Sequence, residues 1–328
     1  MSTQNSATRI DTNDVAELSD LMRPWDVVLR QASPGQFHSR IDAIQVNGII
    51  AYRERQAVRE LGTGATPAGY FLFGGPLPGC AHPQWCGSPL NGQRLGFSAP
   101  GRQVDFIVPD AADHLVVLVP TELMRHYFGD ETIDTALTSN HHTLASSHQD
   151  NFNLVAYVAQ NIDRTIADPA MATDRLECAA FESQLLDRLA AIFDFSATDR
   201  DLATPRQRRA AFLRAVEYSE GINRHITVPE LATAIGASSR TVRRAFEESL
   251  GVSPQKFLRR QRMQRTHDEL LKCNGESTTV TQAATRWGFS ELGRFAAEYT
   301  SYFGEYPSQT LKRRQSKVSG GIADIRGV

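Results

Sequence analysis

Thr227-Val228-Pro229-Glu230-Leu231-Ala232-Thr233 and Thr279-Val280-Thr281-Gln282-Ala283-Ala284-Thr285 are two copies of one pattern, 52 residues apart, each followed by a glycine, Gly236 or Gly288. Past each glycine an apolar series steps by four. It runs Val242, Phe246, Leu250 in the first copy and Phe295, Tyr299, Phe303 in the second. The offset there is 53, so the second copy carries one extra residue near its turn. Each copy closes with a glycine and a proline three residues on, Gly251/Pro254 and Gly304/Pro307. A duplicated unit declares architecture before any single residue does.

Each copy has a physical reading. Thr followed three residues later by Glu or Gln is a capping box, which satisfies orphan N–H groups at a helix start. Gly236 and Gly288 end the short helix where left-handed backbone is wanted. A longer helix follows, Ser238–Leu250 or Ser290–Phe303, with one apolar face. Short helix, glycine turn and longer helix make a helix-turn-helix unit, whose second helix enters the major groove of DNA. Ordinary helical hairpins share the periodicity, but the exposed face of the first long helix is strongly basic, which favours DNA.

Arg240, Arg243 and Arg244 lie opposite Val242 and Phe246, with Ser239 and Glu247 beside them. These five, with Gly293, Arg294 and Ala297 of the second copy, are the candidate DNA contacts. Arginine is shaped for bidentate contact with guanine. At offset 53 Gly293 stands opposite Arg240, Ala296 opposite Arg243 and Ala297 opposite Arg244. The second unit is therefore expected to hold phosphates, through Arg294 and its helix N-terminus, more than to read bases. Between the copies, Ser253-Pro254 starts a helix running to about Lys272, with Arg259, Arg260, Arg262 and Arg265 on it. It is expected to keep the two units at fixed separation while its arginines touch phosphates. A solvated basic face is the alternative, and for Arg262 a buried ion pair.

The 328 residues are enough for two domains. The net charge of −2 hides a division. Residues 205–317 hold 20 Lys and Arg against 11 Asp and Glu, while the remainder holds 15 against 26. A basic C-terminal part beside an acidic N-terminal part implies one domain that touches nucleic acid and one that does not. No stretch has the length of apolar sequence that a membrane span needs. The N-terminus lacks the apolar core of a signal peptide, so a cytoplasmic location is expected.

Residues 1–20 are polar and expected to be loose, within a flexible N-terminus, 1–35. From Phe37 to Pro120 the pattern is β, with strands expected at 41–46, 47–52, 69–73, 95–98, 104–108 and 114–119. Short strands with frequent turns argue for a small barrel or sandwich. The stretch 74–91 reads as an irregular loop, either a lid or a long connection. Phe71, Phe73, Trp85 and Phe106 are candidates for the wall of a ligand pocket, packed-core aromatics being the alternative. Two amphipathic helices follow, one with Phe152, Val155, Ala159, Ile162 and Ile166 on a face. The other carries Leu176, Ala179, Leu186, Leu189, Ile192 and Phe193, behind an Asp174/Glu177 cap. They either form a dimer interface or cover the β domain.

Other chemistry finds little support. Cys80, His82 and Cys86 lack the second ligand pair of a structural zinc site, and the four cysteines are too scattered for a disulfide framework. No cofactor or metal is expected. His141, His142 and His148 sit in a run that reads as solvated loop. Gly62-x-Gly64 lacks the third glycine of a dinucleotide fingerprint.

The C-terminal residues resemble the DNA-binding domain of the AraC/XylS family of bacterial transcription regulators. The resemblance rests on Leu231-Ala232, Phe246, Gly251-Val252-Ser253-Pro254, Arg262, Leu270-Leu271, Trp287-Gly288-Phe289-Ser290, Phe295, Tyr299, Phe303-Gly304 and Pro307. It departs from the family pattern at Ala283 and Thr266. The string from Trp287 to Leu311 is similar to the subgroup that includes the ethanolamine-operon regulator. The resemblance implies a regulator, usually an activator, that binds double-stranded DNA, works with RNA polymerase, senses a small-molecule effector and forms a homodimer. The expected class is thus α+β in two domains. A flexible N-terminus, 1–35, precedes an effector-binding and dimerisation domain, 36–195, built as a small β-barrel or sandwich with flanking helices. A linker, 196–205, leads to an all-α domain with two helix-turn-helix units, 206–315, and a tail, 316–328. The competing class is a DNA-binding enzyme with a reactive or metal-bound cysteine, for which Cys80 and Cys86 lack the two further cysteines expected.

Overall fold

The computed structural model describes residues 5–22, 25–139, 141–145, 147–193, 206–272 and 278–317. The expected linker and the tail beyond Lys317 lie outside the described residues, as does Cys273. The chain divides into two compact units, Met1–Ser33 with Phe37–Ala203, and Pro34–Gln36 with Thr204–Val328.

The first unit holds two antiparallel sheets. The larger runs in the order β1 (Ser6–Thr12), β3 (Ser39–Val46), β4 (Ile49–Gln56), β11 (Ala112–Pro120), β6 (Tyr70–Pro76), β9 (Arg94–Ser98), β12 (Thr143–Ala145). The smaller runs β2 (Asp26–Gln31), β5 (Glu60–Ala65), β10 (Gln103–Val108), β7 (Gln84–Trp85), β8 (Ser88–Pro89). β11 shows why the larger sheet is central. Its unbroken apolar run Leu115–Val119 suits a strand covered on both faces. Leu115, Val117 and Val119 join the core under the helices, while Val116 and Leu118 join the core against the smaller sheet. Each sheet keeps open edges, so of the two expected forms the structure is the sandwich and not a closed barrel.

Several local expectations are corrected. The stretch 1–35 is not loose throughout, because β1 pairs with β3, α1 (Val15–Leu21) is capped by Asp14 and β2 pairs with β5. Residues 47–52 are not all strand. Asn47 at φ 50° and Gly48 at φ 84° form a two-residue turn between β3 and β4, which is the Asn-Gly hairpin signal. The segment 74–91 contains the small β7–β8 hairpin, turning on Cys86 and Gly87. β5 was not foreseen, because its glycines weaken a strand reading.

Helices cover the far face of the larger sheet: α2 (Thr121–Phe128), α3 (Asp130–Thr138), α4 (His148–Ala167) and α5 (Arg175–Ala190). Asp174 caps α5 as expected, accepting from Leu176 and Glu177 N–H. Most of each expected apolar face is buried: Val155, Ala159 and Ile162 of α4, Leu186 and Leu189 of α5, and Ile192 and Phe193 just past it. α4 buries Leu154, Val155, Val158, Ala159 and Ile162, and α5 buries Cys178, Phe181, Leu185, Leu186 and Leu189. Phe152 and Leu176 are instead 42% and 83% exposed. The buried residues of both helices cover the sheet, which is one of the two expected roles. His148 begins α4 rather than lying in a loop.

The second unit is helical throughout its described residues: α6 (Arg206–Gly221), α7 (Val228–Ala234), α8 (Ser239–Leu250), α9 (Pro254–Lys272), α10 (Val280–Arg286), α11 (Leu292–Phe303) and α12 (Pro307–Lys317). Phe246 of α8 packs between Phe212 of α6 and Phe257 of α9. The same α9 gives Met263 and Leu270 to a second core with Phe289, Phe295, Tyr299 and Phe303. One helix therefore belongs to both repeats. Among the described residues no helix is long and apolar enough to cross a membrane.

Candidate nucleic-acid interface

The repeat in sequence is a repeat in geometry. Thr227 accepts from Glu230 N–H while the Glu230 carboxylate accepts from Thr227 N–H, and Thr279 with Gln282 does the same. Both turns then close alike. Ala237 N–H reaches Ala232 C=O at 2.9 Å and Phe289 N–H reaches Ala284 C=O at 3.0 Å, around Gly236 at φ 64° and Gly288 at φ 78°. This is a Schellman ending, and the left-handed backbone is why glycine stands there. Thr227→Ala is expected to cost about 1 kcal/mol of helical-unit stability. Urea unfolding followed by circular dichroism checks it, and no change would remove the capping box from the account.

After the turn the copies diverge. Ser238 caps α8 by accepting from Thr241 N–H at 3.1 Å. The second long helix does not start at Ser290 as expected. Its N-cap is Glu291, with no side-chain cap bond, and α11 begins at Leu292. The extra residue of the second copy thus lies between Gly288 and the helix, and from there the offset of 53 holds.

Ser239, Arg240, Arg243, Arg244 and Glu247 are exposed along one side of α8, away from buried Val242, Ala245, Phe246 and Leu250. Among the described residues no carboxylate pairs with Arg240, Arg243 or Arg244. Gly293, Arg294 and Ala297 are likewise exposed on α11. Arg294 is tied down, however. Its Nε donates to Glu298 at 2.9 Å, and Arg259 donates to the same carboxylate at 2.6 Å. The Arg259 hydrogen bond, with help from Arg294, pulls the Glu298 pKa below its ordinary value. Glu298 was missed in the sequence, although its i, i+4 spacing from Arg294 was visible. An open groove of about 580 Å³ between the start of α7, the end of α8 and α9 is lined by His225, Arg243, Glu247, Arg259 and Arg262.

The arginines of α9 do not all face solvent. Arg262 and Arg265 turn onto backbone carbonyls of neighbouring elements. Burial lowers the pKa of both, and for Arg262 the nearby Arg259 charge lowers it further. Arg262 therefore meets carbonyls where a buried ion pair was the expected alternative.

The four candidate pocket residues of the first unit are not brought together. Phe71 and Phe73 pack with Phe97 and Phe193 in the core under the helices. Trp85 and Phe106 lie on the other side of the larger sheet, stacked at 5.7 Å. They line a cavity of about 40 Å³ between the sheets, with Trp25, Tyr52, Glu54, Glu60 and His114. Sites for drug-sized ligands measure roughly 300–1,000 Å³, so this space is nearly filled. An open pocket of about 400 Å³ lies elsewhere, lined by Cys80, His82, Arg94, His148 and Phe152 among others. Cys80 and Cys86 are not joined in a disulfide, and burial raises the pKa of the Cys80 thiol. Among the described residues no three His, Cys, Asp or Glu side chains are grouped to hold a metal ion.

Glu60 is 1% exposed with its Oε2 unpartnered, and burial followed by the Glu54 charge pushes its pKa well above normal. A carboxyl raised on folding stabilises fully below its unfolded pKa, and that contribution is lost as pH rises through the folded value. Glu60→Gln is expected to flatten this loss and raise the melting temperature of the first unit at neutral pH. Parallel melting curves of both proteins from pH 5 to pH 9 check it. Parallel pH dependence would place the titrating group elsewhere.

Residues 231–313 match the helix-turn-helix domain family. A probable thc operon regulatory protein of Rhodococcus erythropolis is 37% identical over 146 residues, which is 44% of this chain and 42% of that protein. The XylDLEGF operon transcriptional activator 2 of Pseudomonas putida is 33% identical over 107 residues, 32% of this chain and 68% of that protein. A crystal structure of a probable AraC family transcriptional regulator from Rhodopseudomonas palustris has 44% identity, covering 32% of this chain and 97% of that one, with a TM-score of 0.30. The chain spans less than half the length of the thc regulatory protein and a third of XylDLEGF operon transcriptional activator 1 of Pseudomonas putida. With two capped helix-turn-helix copies joined through α9, and a relative matched over two thirds of its length, the chain belongs to the AraC/XylS family of helix-turn-helix transcription regulators.

Proposed function

We propose that the protein regulates transcription by binding double-stranded DNA at two successive major-groove segments, α8 reading bases and α11 holding mainly phosphates. The observation that carries this is the row Arg240, Arg243 and Arg244 on α8, exposed and without carboxylate partners among the described residues. Ser239 and Glu247 flank the row, and Gly293, Arg294 and Ala297 form the equivalent surface of α11. Relatives named as operon transcriptional activators support an activating role, and contact with RNA polymerase belongs to that role. The first unit would sense a small effector. The 400 Å³ pocket near His82 and His148 is the roomier place for one, and the cavity beside Trp85 and Phe106 the tighter. Pairing of two chains would use surface outside the buried faces of α4 and α5, where Leu176 remains exposed. The string Trp287–Leu311 supports a place near the ethanolamine-operon-regulator subgroup.

Selection of binding sites from random duplex DNA by the full-length protein tests the reading. The expected product is a site with two segments about 10 base pairs apart, centre to centre. A pool that never converges on a sequence would overturn it.

A further inference from the structure

We propose that Arg262 and Arg265 are positioning residues: they lock the two helix-turn-helix copies in one register about α9 and so set the spacing between the DNA segments that the protein accepts. The inference rests on the DNA-reading function proposed above and adds to it the part that measures distance.

The two arginines are three residues apart on α9, and between them they reach both copies. Arg265 Nη2 donates to Ser219 C=O at 2.9 Å and to Glu220 C=O at 2.8 Å, and its Nη1 donates to Ile222 C=O. These carbonyls lie at the C-terminal end of α6, the helix that packs on α8. The same guanidinium stands 5.2 Å from the ring centroid of Trp287, in the turn of the second copy. Arg262 Nη1 lies 3.3 Å from both Trp287 C=O and Gly288 C=O, just past α10, with its guanidinium 5.1 Å from the Phe289 ring.

The end of a helix offers unpaired carbonyls and partial negative charge, which a guanidinium satisfies with directed donors. One arginine therefore holds the end of α6, and the other holds the turn after α10. The seam between the copies is tight. A Cβ on Gly288 would stand 3.0 Å from Arg262 Nη1 and 3.6 Å from Cβ of His225, which precedes α7, so the turn of the second copy lies close to the first copy. The second copy has a further tie to the same helix, because Trp287 Nε1 donates to Glu269 at 2.9 Å.

A continuous helix fixes how far apart the copies sit. It does not fix how each copy is rotated about that helix. Apolar contacts of Phe257, Met263 and Leu270 tolerate small rotations, whereas the fork of Arg265 on three carbonyls does not, and Arg262 adds one nitrogen shared by two carbonyls. One base pair of extra spacing turns the second segment by about 34° and moves it by about 3.4 Å. That is the scale of misfit a rigid seam would reject and a loosened one would absorb.

The test uses full-length protein and the selected DNA site, rebuilt with one base pair added or removed between its segments. Wild type is expected to lose roughly tenfold or more in affinity for either altered site. Arg265→Ala and Arg262→Ala are expected to bind the original site more weakly but to lose less than threefold on the altered sites. Arg265→Lys, which keeps the charge without the fork, should fall between. If an alanine variant does not fold, Arg262→Lys and Arg265→Lys test the same ordering, each with a spacing penalty smaller than that of wild type. Spacing penalties unchanged from wild type in folded variants would overturn the inference and leave the arginines as stabilisers only. That result leaves the DNA-reading function standing, whereas a wild type without sequence preference would remove both.

Discussion

Replacing Phe246 with alanine is expected to cost the helical unit about 3–5 kcal/mol. Phe246 is fully buried in the middle of α8, with its ring centroid 5.1 Å from that of Phe212 and 4.9 Å from that of Phe257. It is therefore the point where α6, α8 and α9 meet. Val242 and Leu250 of the same face are one turn away on either side and already buried, so neither can move in to fill the void. The cost combines the lost transfer of the ring with an unfilled cavity. Denaturant unfolding of the full chain, followed by far-ultraviolet circular dichroism, should show the helical transition moving to lower denaturant. The first unit shares no residue of this cluster, and its transition should stay in place. A loss below about 1 kcal/mol would mean that the site collapses around alanine or that α8 packs differently. The effect exceeds that of Thr227→Ala because a cap satisfies one exposed N–H group, whereas Phe246 closes a core.

What the sequence revealed and what it hid follow from the same physics. The capping boxes, the left-handed glycines and the buried face of α8 are local features, and the repeat stated each of them twice. The start of α11 was not fixed by the repeat, because the extra residue fits anywhere between Gly288 and Phe295. The margins of the α4 and α5 faces escape the sequence for a related reason. In α4, Val155, Ala159 and Ile162 are buried together with Leu154 and Val158, and only the sheet beneath leaves Phe152 at the edge of that face. Strand parity shows that Phe71 and Phe73 share a face. It does not show that Trp85 and Phe106 lie on the opposite side, which requires the sheet order. In β5, Gly62 pairs with Phe106, whose ring would stand 2.1 Å from a Cβ placed there. The glycine makes room for a ring 44 residues away in sequence, beyond any local pattern. Arginines on α9 read as basic in sequence, and whether a guanidinium faces phosphate or carbonyl depends on elements 25 to 46 residues distant.

The double change of Arg240 and Arg243 to alanine is expected to cost about 2–6 kcal/mol of specific DNA binding, at about 1–3 kcal/mol for each bidentate base contact. The two residues are one turn apart on the exposed side of α8, so as base readers they would contact neighbouring base pairs, and coupling between such close residues decides where in that range the loss falls. Arg294→Ala on α11 should cost far less. Arg294 already shares Glu298 with Arg259, so reaching a phosphate means giving up that pair. Gly293 and Ala297 extend no donor, although alanine can touch a thymine methyl group. The start of α11 at Leu292 leaves this comparison intact, since Ser239 and Leu292 open their helices at the same offset of 53 that aligns Arg240 with Gly293. Single base-pair changes under α8 should therefore cost about 1–3 kcal/mol each, and changes one helical turn away visibly less. Salt must be fixed during the scan, because the phosphate contribution varies steeply with ionic strength. Equal losses of the double variant on specific and random DNA would make Arg240 and Arg243 phosphate contacts. Equal penalties in the two segments would mean that α11 presents some other face to the groove.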